Sequence, residues 1–173
     1  VPAAPLVVQV LAGLETELAE RRIDLSGQSQ AEMRIPLVRF GNASARGFRA
    51  GNTHLHLRKL SKAHADRYLR EVPRADELNV VFVSYLERAG DDLEYTSNHY
   101  TPDDLKKFSD RFLQFGYGQE HRHNFGSYGE GYGHVLLLDI PRIVQPVSIG
   151  PGITKHGVDA PPLQAGMEET RRL

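Results

Sequence analysis

"THLHLRKL", Thr53 to Leu60, alternates polar and apolar side chains, and the architecture turns on reading it as a strand. Period-two geometry puts Leu55 and Leu57 on one face and His54, His56 and Arg58 on the other. The leucines then belong to a core, and the histidines line a face that helices need not cover. Moving outward, "SKAHADRYLREV" predicts a helix with Ser61 as its N-cap. "LNVVFVSYL" is β-branched and apolar on both faces, which predicts a central strand. "AGDD" then makes a turn into "LEYTSNHY", a second alternating strand, giving a hairpin. "TPDDLKKFSDRFLQFG" predicts a helix over about 102–115, capped by Thr101, with Leu105, Phe108, Phe112 and Phe115 as its apolar stripe. "HVLLLDI" predicts a buried strand ended by Pro141, and "IVQPVSI" one further short strand.

On the N-terminal side, "MRIPLVRF" reads as a strand confined to an edge by Pro36. "GNASARGFRAGN" is a polar loop carrying Arg46 and Arg49. Before it, Leu6, Val7, Val10, Leu11, Leu14 and Leu18 fall at helical spacing and predict a helix from Pro5 to Arg22. The expected fold is a single α+β domain with an antiparallel or mixed sheet of four to six strands and helices mainly on one face. Its core resembles a split β-α-β arrangement preceded by an N-terminal helix. Residues 1–30 form that helix and a linker, 33–149 the core, and 150–173 a Gly/Pro-rich tail that wraps the surface or frays.

The chain has 173 residues, 40% apolar and 25% charged, enough for one domain with a real core. Its net charge of −1 lacks the basic excess of a nucleic-acid binder, so nucleic acid is not an expected partner. The absence of cysteine excludes a thiol nucleophile, disulfides and Cys-based zinc sites. No apolar run approaches the ~20 residues of a membrane span. A soluble chain is expected, compatible with the cytoplasm or with secretion into a host. "APLVVQVLAGL" has some likeness to a signal peptide but lacks preceding basic residues. The start at Val1 suggests a processed protein or a fragment.

Chemistry concentrates in the imidazoles. Two histidines two residues apart on a strand can ligate one metal ion or share a phosphate. "HRH", His121 and His123, repeats the spacing. His99 and His134 are expected near the ends of the histidine strand. A divalent metal is therefore an open expectation, with His54, His56, His99, His121 and His123 as ligand candidates. His54, His56 and His134 are the catalytic candidates. "GQEHRHNFGSYGEGYGH", Gly118 to His134, is expected to be a glycine-rich lid over the histidine face. In that reading Tyr128 and Tyr132 stack on a planar ligand while Arg46, Arg49, Arg58 or Arg122 bind an anion.

The "HLHL" pattern resembles that of the HUH single-strand nucleases, which would imply a metal held by His54 and His56 and attack by a tyrosine such as Tyr68. His56 and His134 are spaced like the pair of two-histidine phosphoesterases, but Arg58 and Leu136 stand where that motif has Ser or Thr. H-E-x-x-H, Walker-type and G-x-S-x-G motifs are absent. The residues thus favour a small enzyme with a histidine/arginine site for a phosphorylated or nucleotide-like substrate, such as the catalytic domain of a secreted effector or toxin. The alternative is a binding module or assembly subunit that offers its histidine-bearing face to a protein partner.

Overall fold

A computed structural model describes residues 4–27, 30–87, 95–125, 130–145 and 160–173, with only the backbone described at 122–125, 130–133 and 160–162. The alternating stretch is a strand, β3 (Gly51–Leu55), with His56 just past its end. Leu55 and Leu57 are buried on one side, and His54 and His56 face the other. α1 (Lys62–Ala75) follows, and the Ser61 side chain accepts from the His64 backbone amide at 3.3 Å. Ala65, Leu69 and Pro73, four residues apart, are the buried face of that helix. The chain then enters β4 (Val80–Tyr85), parallel to β3. Val81 and Val83 are fully buried in its centre.

A 3₁₀ turn (Thr96–His99) and α2 (Pro102–Lys106) lead to β5 (Gln114–Phe125), parallel to β4. β6 (Glu130–Leu138) returns antiparallel to β5. The four-stranded sheet is therefore mixed, in the order β3-β4-β5-β6, within an α+β fold. Its core face, which includes Val81, Val83, Phe115 and Tyr117, packs with Leu69, Leu105 and Leu113. On the opposite face β5 carries Gly116 and Gly118, paired with Phe82 and Ser84. A Cβ at Gly116 would run into the Phe82 ring, and one at Gly118 would lie 2.9 Å from Ser84 Oγ. Both positions exploit the missing side chain for close approach.

Several sequence expectations are corrected. The N-terminal helix is a hairpin of β1 (Pro5–Val10) and β2 (Ala19–Asp24). The β-branched Val7, Val8 and Val10 favour extended chain, and Gly13, at φ 67°, helps turn it. "MRIPLVRF" forms no strand and joins the fold through an isolated bridge of Arg39 with Thr16. "LEYTSNHY" is not a hairpin partner of β4: Thr96–His99 is a 3₁₀ turn, and Asn98 uses its side-chain amide to bond both backbone groups of Leu86. With no strand among its described residues 95–100, and with β3, β4 and β5 all parallel, the split β-α-β order is not formed.

The helix expected to reach residue 115 stops after one turn, although its Thr101–Asp104 capping box is present. Asp110 Oδ1 accepts from the backbone amides of Phe112 and Leu113 at 2.8 and 3.0 Å, a local turn that outcompetes the helix. Phe112 is consequently 66% exposed, while Leu105, Phe108 and Phe115 stay in the core. In the tail, residues 160–172 form α3 (Ala160–Arg172), held to the sheet side by an Arg142–Glu169 ion pair. The further strand expected over "IVQPVSI" is absent at residues 143–145, where Val144 bonds through both backbone groups to the Gln119 side chain. The rest of that stretch lies outside the described residues.

Candidate metal centre

The parallel strands bring the histidines to a residue that the sequence reading did not single out. Beyond the last β4–β5 pair, Tyr85 with Gln119, the next β5 residue is Glu120. Its side chain is only 2% exposed and turns to the face that carries His54 and His56. Glu120 Oε2 lies 2.9 Å from His54 Nε2 and 2.6 Å from His56 Nε2, and the two Nε2 atoms are 3.0 Å apart. His134, on β6, places Nδ1 2.6 Å from the other carboxylate oxygen, Oε1. His56 is mostly covered, with the Tyr95 ring 5.5 Å away, whereas the side chains of His54 and His134 are 42% and 36% exposed. One side of the cluster is therefore walled and the other is open to solvent.

Proton accounting constrains this triangle. His56 Nδ1 is 3.0 Å from the Ser84 carbonyl oxygen, which can only accept, so Nδ1 carries a proton. In neutral imidazole His56 Nε2 is then a bare lone pair facing a carboxylate oxygen. That contact is favourable when a proton lies between the groups, carried by the carboxyl or by the imidazole, or when a cation does. Burial by itself raises the Glu120 carboxyl. The hydrogen bonds with His56 and His54 and the charges of His56 and His134 outweigh it and hold the group down at about 2. The carboxylate is thus ionised, buried and ringed by imidazoles.

The three atoms also have the dimensions of a ligand set. Ligands about 2.1 Å from a first-row ion are separated by roughly 3.0 Å across an octahedral edge and roughly 3.4 Å across a tetrahedral one. Two of the observed separations, 2.9 and 3.0 Å, match edges of one octahedral face, and the third, 2.6 Å between His56 and Glu120, is shorter than such an edge. Two histidines and one carboxylate on a face leave the remaining positions open. The outer contacts fit as well: His56 is oriented by a backbone carbonyl, and the carboxylate contacts a further imidazole through its second oxygen.

The remaining sequence candidates are distributed elsewhere. His121, next to Glu120, falls on the core face by strand alternation, fully buried against Gly166 of α3. His99 sits in the 3₁₀ turn and is not part of the triangle. Arg122 and His123 lie on β5, Arg122 opposite His134 in register. Arg58 is exposed, and its backbone bridges to Tyr95. Arg46 and Arg49 line a cavity near the N-terminal end of β3, roughly 15 Å from the histidines at the strand's rise per residue. Tyr132 belongs to β6, and Tyr128 lies outside the described residues.

The lid expected over 118–134 is corrected, because residues 118–125 and 130–134 are sheet and they supply the site's own Glu120 and His134. Reading "GQEHRH" with strand parity is the signal that would have separated Glu120 from His121. Comparison with protein-family models, curated proteins and solved structures finds no match for this chain, so the site is interpreted from its own geometry.

Proposed function

We propose that the protein is a metal-dependent enzyme whose divalent first-row ion is held by His54, His56 and Glu120. The carrying observation is the triangle of Nε2, Nε2 and Oε2 atoms, with His56 fixed in the tautomer a ligand needs. One carboxylate only partly neutralises a divalent ion, so the centre would stay cationic and suit an anionic substrate oxygen. A phosphorylated or nucleotide-like substrate fits that preference, with a bound ion supplying Lewis-acid polarisation and an activated water. His134 contacts the ligand carboxylate on the open side, where it can orient Glu120 and exchange a proton with substrate or water. Support for an arginine clamp is weaker, because Arg46 and Arg49 lie beside a different cavity.

The test is turnover of a panel of phosphomonoesters, phosphodiesters and nucleotides by the purified chain, before and after chelation and reloading with manganese, iron or zinc. The expected result is activity only in the metal-loaded protein, abolished by His56→Ala and reduced about 10²-fold or more by His134→Ala. Activity that persists through chelation and through His56→Ala contradicts the proposal. Metal binding without turnover of any member would favour the binding-module reading instead.

A further inference from the structure

At the other end of β3 and β4, a cavity of about 610 Å³ opens between the β1–β2 connection, the 39–50 segment and the end of α1. Its charges are unbalanced. Of its two carboxylates, Glu77 is paired with Arg39, and Glu15 Oε1 accepts from the Ala43 backbone amide at 2.6 Å. Arg46 and Arg49 line the same space, and neither has a carboxylate partner among the described residues. The Phe48 ring is 63% exposed there, with the Arg46 guanidinium carbon 5.6 Å from its centroid. Leu14 adds a second exposed apolar wall.

We propose that this cavity is a binding site for a small aromatic phosphate of mononucleotide size, separate from the metal centre. Each feature accounts for part of the ligand. Two guanidiniums, neither bridged to a carboxylate among the described residues, can grip a phosphate through paired N–H groups. An exposed ring beside a cation offers a platform on which a planar base stacks. The volume lies within the range of small-molecule sites. The Arg39–Glu77 ion pair braces one wall, and the other two arginines, set against Glu15, leave the cavity with one net positive charge. This site does not depend on the metal centre, and either assignment can fail without the other.

Isothermal titration of the whole chain with the four ribonucleoside 5′-monophosphates, their nucleosides and inorganic phosphate tests it. At least one monophosphate should bind with a Kd in the range of about 1 μM to 1 mM, tighter than its nucleoside and tighter than phosphate. Arg46→Gln and Arg49→Gln should each weaken it about tenfold. Phe48→Ala should weaken the nucleotide and leave phosphate unchanged. His56→Ala should have no effect, and circular dichroism reports whether each variant is folded; a variant that does not fold is replaced by Arg46→Lys or Arg49→Lys, for which a smaller loss is expected. Absence of binding by every monophosphate overturns the proposal. So does binding indifferent to the arginine and Phe48 changes, or binding abolished by His56→Ala, which would place the ligand at the metal centre.

Discussion

Glu120 is the residue on which the site depends, and its burial makes a measurable demand on the fold. Its carboxyl is held down at about 2 against an ordinary 4.5, so its ionised form stabilises the native state. A lowered carboxylate contributes fully above its unfolded value and loses that contribution as pH falls from 4.5 toward about 2. Urea unfolding of metal-free protein should therefore show a loss over this window, on the order of 3 kcal/mol at most. The Glu120→Gln variant should lose distinctly less over the same interval. Equal acid slopes would mean that the carboxylate is not held as described. Asp104 and Asp110, also lowered to about 2 by local hydrogen bonds, contribute to both proteins alike. At this scale the sequence was partly legible. Alternation in "THLHL" put both histidines on one face, as the structure does, because a two-residue period survives any choice of neighbouring strand. Glu120 was hidden because its segment is rich in glycine, which reads as loop. In the fold, Gly116 and Gly118 are strand residues that let Phe82 and Ser84 approach.

The elements that were read correctly are those whose local signals have no competitor. α1 has its Ser61 cap, and β4 its run of β-branched residues. The N-terminal hairpin and the end of α2 were misread because apolar spacing fits two structures, and turns made by single side chains decide between them. Asp110 is such a side chain, and it divides the expected Phe stripe. Leu105→Ala should therefore cost about 2–5 kcal/mol, because Leu105 is fully buried. Phe112→Ala should cost less than about 0.5 kcal/mol, because the ring faces solvent. Denaturant midpoints check both, and comparable losses would restore the long helix. α3 tests packing at the same scale. A Cβ on Gly166 would lie 2.8 Å from His121 Cε1, so the helix sits flush on the ring only because residue 166 has no side chain. Gly166→Val should speed amide hydrogen exchange across residues 163–172 while leaving α1 protected. Unchanged exchange would show that α3 is not docked there.

For the whole molecule, the parallel run β3-β4-β5 explains where chemistry can gather. Open sheets with parallel strands present ligand sites beyond the carboxyl ends of those strands. Here β3 delivers His54 and His56 at its end, β4 offers the Ser84 carbonyl, and β5 extends past β4 to place Glu120. The antiparallel return of β6 then brings His134 to the second carboxylate oxygen. The sequence reading expected His134 near an end of the histidine strand, but β3 and β6 are separated by β4 and β5, and Glu120 is what links His134 to the pair. That reading could not show that β5 exists, and so left the carboxylate out of the ligand set. The central claim is that His54, His56 and Glu120 together hold a divalent ion, and metal content measures it most directly. The full chain is loaded with manganese, iron or zinc, desalted and analysed by mass spectrometry beside His56→Ala and Glu120→Gln. The account predicts about one equivalent of at least one of these metals in the wild-type chain and almost none in either variant. A wild-type chain that retains none of the three, or variants that retain as much as the wild type, would contradict it.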